Sequence, residues 1–147
     1  MKREESLGYQ VNHLARLMEL RLRDRIAATG VVPGQFAQLL ALFEEDGLSQ
    51  RELGLRVQVD PSTMAHTLRR MERDGLVQRD VDPADRRRVV VTLTDHARSL
   101  EATLTAAAEE TNAEATRSLS PTEQGRLLKL VGSVIAQLQS DDASEVQ

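Results

Sequence analysis

Three consecutive arginines, Arg86, Arg87 and Arg88, follow a turn that carries Asp82, Pro83 and Asp85, and they lead into the run Val89-Val90-Val91-Thr92-Leu93. A guanidinium stays charged and presents a fixed fork of donors, so arginines at the mouth of a hairpin suit a grip on phosphates or a narrow minor groove. Upstream lies a second group, Ser62, Thr63, His66, Arg70 and Arg73, inside the segment DPSTMAHTLRRMERDGLV. At helical spacing Ser62, His66, Arg69, Arg70 and Arg73 fall opposite Met64, Leu68 and Met71, a polar and basic face against an apolar stripe. Ser62, Thr63 and His66 in the first two turns suit base edges. The two hydroxyls also suit phosphates near the helix start, and Arg70 and Arg73 suit the backbone. Two bland readings compete with these: a solvated hairpin whose arginines serve solubility, and ordinary surface placement of His66.

The same inventory offers little to covalent or metal chemistry. There is no nucleophile–base–orienter pattern, no glycine-rich phosphate loop and no metal-ligand spacing. His13, His66 and His96 fall in three different predicted helices, and Glu109-Glu110 and Asp141-Asp142 read as a solvated face and tail. Neither an enzyme nor a cofactor is expected. With no cysteine, a disulfide framework and a thiol redox trigger are both excluded on this chain. One Tyr, two Phe and no Trp leave little to stack on unpaired bases, which favours a duplex over single strands or RNA. The net charge of −4 is unevenly spread: residues 49–93 hold nine Arg against seven acids, a surplus of +2, while the flanks sum to −6. A local basic face can act within a Debye length of phosphates, so the acidic flanks are expected to face away from the duplex.

These side chains need a scaffold, and the pattern supplies one. A helix over 7–28 carries Leu7, Val11, Leu14, Met18 and Leu22 on one face, and Gly30 and Pro33 punctuate its end. A second, 34–45, carries Phe36, Leu39, Leu40 and Phe43, and Gly47 closes it. Ser49-Gln50-Arg51-Glu52 fits a capping box opening a short helix over 50–57 with Leu53 and Val57 inward. Asp60 caps the next helix, Pro61 takes its first position and Gly75 ends it. Two short helices joined by a tight link are the makings of a helix-turn-helix, although generic helical pairs share the pattern. Strands at Val77–Val81 and Val89–Leu93 then form a hairpin immediately after the candidate recognition helix, the position of a wing. Thr94 caps a long alanine-rich helix over 95–117, Ser120-Pro121-x-Glu123 opens the last helix, and the tail DDASEVQ is expected to fray. The last helix carries Leu127, Leu128, Val131, Val134, Ile135 and Leu138.

The order LSQRELGLRVQVDPSTMAHTLRRMERDGLVQRDVDPADRRRVVVTLTDHA strongly resembles the MarR family of winged helix-turn-helix transcriptional regulators. Its most specific pieces are the helix end L..M.R.GLV, the hairpin D..DRR and the closing LT before a new helix, and the likeness covers nearly the whole chain. The family's D-x-R falls on Asp85 and Arg87; Arg88 stands where many relatives carry a small residue, and Ala97 where glycine is frequent. The resemblance implies a mainly α fold with a small β wing, a single domain over 1–147. Within it a winged helix-turn-helix lobe over 34–93 is flanked by dimerisation helices at 7–28 and 95–140. It implies a homodimer on a pseudo-palindromic double-stranded DNA operator. In the wing, Arg86 and Arg88 are expected to reach the DNA, while Asp85 and Arg87 pair across the turn and hold its shape.

The dimer has a physical argument of its own: long apolar stripes flank a small winged lobe, and units that small are marginal alone. The function the resemblance implies is a sequence-specific DNA-binding repressor released by a small aromatic or phenolic anion. Tyr9, His13, Arg16, Phe36 and Phe43 could border the ligand cleft. The alternative is that the phenylalanines are core and Arg16 is solvated. An activator or dual regulator with the same contacts, and a helical adaptor that uses the hairpin for protein binding, remain open. No run of about 18 apolar residues predicts a membrane span, and the start MKREESLGYQ lacks signal-peptide order, so a cytoplasmic protein is expected.

Overall fold

The computed structural model describes residues 1–145, which fall into two compact units divided after Thr111. The first unit opens with a short turn at Arg3–Glu5, then α1 (Leu7–Ile26), a 3-10 turn at Ala27–Thr29, and α2 (Pro33–Glu44). It continues through α3 (Gln50–Val57), α4 (Pro61–Arg73), β1 (Val77–Val81) and β2 (Val89–Leu93) into α5 (Asp95–Ala115), whose last turn belongs to the second unit. α6 (Pro121–Glu145) makes up most of that second unit.

Local chemistry sets nearly every boundary. Ser6 caps α1 through the Tyr9 amide at 3.3 Å. α1 stops at Ile26, two residues short of the expected end, because the chain tightens into the 3-10 turn before Gly30 takes a left-handed φ of 78°. α3 carries the reciprocal capping box: the Glu52 amide donates to Ser49 Oγ and the Ser49 amide to Glu52 Oε2, both at 3.0 Å. Gln58 then adopts a left-handed φ of 57°, and the Val59 amide closes onto the Gly54 carbonyl at 3.0 Å. A Cβ on Gly54 would sit 3.3 Å from the Val59 carbonyl oxygen, so the tight link between α3 and α4 favours glycine there. Ser120 and Glu123 form the matching box at the start of α6. α6 continues through Asp141–Glu145 rather than fraying from Asp141, while Val146 and Gln147 lie outside the described residues.

The core of the first unit gathers Ile26 from α1, Leu39 and Leu42 from α2, Leu53 from α3, Met64, Leu68 and Met71 from α4, Val91 from β2 and Leu104 from α5, all fully buried. Each such side chain contributes on the order of 1.5–3 kcal/mol relative to exposure. β1 and β2 pair antiparallel with Val77 opposite Leu93 and Val81 opposite Val89. The hairpin has a third contact that the pattern did not announce. Ser49 bridges Val90, and the Val91 amide donates to the Leu48 carbonyl at 2.8 Å, so β2 is stitched to the start of α3. Asp46 ties the hairpin root further: its Oδ1 accepts from the Leu93 amide at 2.9 Å and its Oδ2 from Arg98 of α5 at 2.7 Å.

The stripe expected on the first helix divides in two. Leu22 packs against the core with Ile26, whereas Leu7, Val11 and Leu14 remain exposed, Leu7 at 63%. On α6, Leu127, Leu128, Val131, Val134, Ile135 and Leu138 are likewise exposed, Ile135 at 50%. No single helix among the described residues is long and apolar enough to cross a membrane.

Candidate nucleic-acid interface

α4 presents the expected two faces. Met64, Leu68 and Met71 are buried, and Ser62, Thr63, His66, Arg69, Arg70 and Arg73 are exposed. The start of the helix is occupied from within the chain. Asp60 Oδ1 accepts from the Thr63 amide at 2.9 Å and Oδ2 from the Thr63 hydroxyl at 2.6 Å. Those bonds, the hydroxyl's above the amide's, hold the Asp60 carboxyl below its ordinary pKa. A carboxylate therefore stands at the helix terminus, and the Thr63 hydroxyl is engaged by it, while Ser62 remains exposed. At the other end Arg73 donates to Asp74 at 3.1 Å, and Gln35 anchors Asp74 from α2 at 2.9 Å. Arg79 of β1 pairs with Glu72 at 2.8 Å, fixing the hairpin to α4.

The hairpin turn is ordered by its own acids. Asp82 Oδ1 accepts from the Ala84 amide at 2.9 Å, and Asp85 Oδ1 from the Arg87 amide at 3.0 Å. The Asp82 amide returns to the Arg88 carbonyl at 2.8 Å.

The three arginines follow expectation in part: Arg87 does pair with Asp85, while Arg88 is tied into the hairpin. Arg87 lies 3.6 Å from Asp85, a loose pair, and is 95% exposed. Arg88, expected to reach outward, is instead 37% exposed and held at both ends of its fork. Its Nη1 donates to Asp82 at 3.1 Å, and its Nη2 lies 3.5 Å from Glu52 of α3. The arginine built into the hairpin is thus Arg88, because the Ser49–Val90 bridge brings the capping-box glutamate beside it. The hydrogen bond to Asp82, more than the charge of Glu52, raises the Arg88 pKa. Glu52 is in turn lowered chiefly by the Ser49 amide and further by Arg88.

Wing and helices meet along two clefts. One, of ≈ 270 Å³, is bounded by Arg51, Leu55, Pro61, Met64, Arg87 and Val89 among others; a second, of ≈ 520 Å³, lies between Arg51, Glu52, Asp85, Arg87 and Arg88. Arg51 borders both, and sequence reasoning did not single it out. Its only signal was a cation in the first turn of α3, where the helix dipole disfavours one.

The residues proposed for a ligand cleft are dispersed by burial. Phe36 is core at 7% exposure, and Phe43 packs against the core. Tyr9, His13 and Arg16 lie on the exposed part of α1, with the Tyr9 and His13 rings stacked at 6.1 Å and Arg3 over the Tyr9 ring at 5.8 Å. Phe36 fits the core alternative, in the same buried cluster as Leu39 and Leu42, and exposed Arg16 fits its solvated counterpart. Among the described residues no group of three or more His, Cys, Asp or Glu side chains is placed to hold a metal ion.

Residues 32–89, the lobe from α2 to the start of β2, match the model of the MarR family. A solved structure described as a probable transcriptional regulator from Pseudomonas aeruginosa is 30% identical, with a TM-score of 0.83 over 90% of this chain and 99% of its own. PcaV, a transcriptional regulator from Streptomyces coelicolor solved with its natural ligand, is 29% identical, with a TM-score of 0.83 over 92% and 96%. The transcriptional repressor CouR, solved on a 23-mer DNA duplex, is 26% identical, with a TM-score of 0.76 over 90% and 94%. Among curated relatives, the regulator TtmR of Methylorubrum extorquens (strain PA1) is 41% identical over 67 residues, a match spanning 46% of this chain but 34% of that protein. By the family model and by likeness along nearly its full length to solved regulators, the chain belongs to the MarR family of transcriptional regulators.

Proposed function

We propose that this regulator is a homodimeric, sequence-specific DNA-binding repressor that occludes a promoter and is released by a small aromatic or phenolic anion. The observation that carries the reading is the exposed polar and basic face of α4 set beside a hairpin with outward arginines, the wing and the start of α4 bordering one cleft. CouR, similar over most of this chain, was solved on a DNA duplex. In this reading Ser62, Thr63 and His66 approach base edges in the major groove, and Arg70 and Arg73 take backbone phosphates. Arg86 and Arg87 supply the reach of the wing, since both are exposed while Arg88 is tied down.

A second copy of the chain would cover the exposed stripes of α1 and α6, and the two lobes would then address the half-sites of an inverted repeat. Ligand release is supported by likeness to PcaV, solved with its natural ligand; of the candidate cleft positions Tyr9, His13 and Arg16 are exposed, while Phe36 and Phe43 join the core side. A cytoplasmic location goes with action on DNA in this reading. An activator with the same contacts would differ only in the sign of a reporter response.

Salt dependence tests the reading. Affinity for duplex DNA should fall steeply with rising salt, and Arg87→Ala should make the slope shallower by about one unit for each phosphate that Arg87 neutralises. Affinity indifferent to salt and to Arg86→Ala or Arg87→Ala would instead support an adaptor that binds protein through the hairpin.

A further inference from the structure

We propose that Arg88 is a positioning residue, a clamp that fixes the wing against α3 by bridging Asp82 and Glu52, and that it makes no phosphate contact of its own. The geometry is that of a fork used at both tines. Nη1 reaches Asp82, which already organises the turn through the Ala84 amide, and Nη2 reaches Glu52, which already caps α3 through the Ser49 amide. Each carboxylate is thus fixed by backbone before Arg88 arrives, so the bridge joins two ordered elements. The backbone adds a second tie at the same level, because Ser49 of the box bridges Val90, two residues beyond Arg88.

The consequence for recognition is that the pose of Arg86 and Arg87 is set from α3, the element that also sets the start of α4. A wing held this way meets the duplex already ordered, and the entropy of ordering it does not oppose binding. Arg88 adds a positive charge to the sequence but little free positive charge to the surface, since two acids face it. Lysine could not replace it: an ammonium is a compact point charge that cannot present two divergent donors in one plane.

The effect on affinity rests on the duplex-binding reading; the clamp itself exists in the free protein and is tested there first. Arg88→Lys keeps the charge, and Glu52→Gln keeps an acceptor for the Ser49 amide while removing the ion pair. Both should speed hydrogen exchange at the Ala84, Arg87 and Arg88 amides several-fold without DNA, and their effects should be less than additive. On the duplex, Arg88→Lys should weaken binding by up to about fivefold, the range of a surface ion pair. Arg88→Ala should weaken it similarly with the salt slope unchanged. The proposal is overturned if Arg88→Lys binds like the parent while Arg88→Ala lowers the slope by about one unit, the signature of a phosphate contact. It is equally overturned if turn amides exchange at the parent rate in both charge-conserving and cap-conserving variants. Should no duplex bind the parent protein, the function reading fails and the exchange measurement alone decides the clamp.

Discussion

Asp60 shows at the scale of one residue how a cap can also shape recognition. It holds the first turn of α4 through Thr63 and leaves a carboxylate at the helix end. Because its folded pKa lies below the unfolded value, its stabilisation is fully present above an unfolded pKa of about 4 and is lost as pH falls through the depressed folded value. Asparagine caps about as well as aspartate and does not titrate in this range. The stability advantage of the parent over Asp60→Asn, followed by denaturant midpoints, should therefore shrink as pH is lowered from about 6 towards 2. An advantage independent of pH would show that the Asp60 charge plays no part. The cap itself was legible in the residues, as Asp followed by Pro. The division of labour among Arg86, Arg87 and Arg88 was not: strand alternation would group Arg86 with Arg88, but all three lie in the turn before β2, and a partner that claims Arg88, Glu52, is distant in the chain.

The elements themselves were the most legible layer. The bounds of α3, β1 and β2 follow from a capping box and from β-branched alternation broken by Asp82–Asp85. Tertiary stitches were hidden, since the Ser49–Val90 bridge and the Asp46 contacts to Leu93 and Arg98 join residues that carry no periodic signal. Ser49 carries two separable duties, a side-chain cap and a backbone bridge. Ser49→Ala removes only the first and should cost about 1 kcal/mol of stability. Leu68→Ala, which empties a fully buried site between α4 and its neighbours, should cost about 2–5 kcal/mol. Equal losses in the two variants, measured by chemical denaturation, would contradict this ranking.

The whole molecule poses the question of what covers the apolar stripes. Leu7, Val11 and Leu14 on α1, and Leu127, Leu128, Val131, Val134, Ile135 and Leu138 on α6, are exposed in one chain, and stripes of this size mark interaction surfaces. A homodimer at micromolar concentration in light scattering, with a melting temperature that rises with protein concentration, is the expected behaviour. Ile135→Glu should shift the mass towards the monomer. The pattern marked both stripes early but could not tell core from interface, because an apolar face reads the same whichever surface buries it; only burial separates Leu22, turned to its own core, from Leu7. Reading of DNA by this dimer through its wings and α4 is tested most directly by enrichment from a library of random duplexes. A short inverted repeat should emerge, its half-sites about one helical turn apart centre to centre; recovery of no preferred sequence by a properly folded dimer would contradict it.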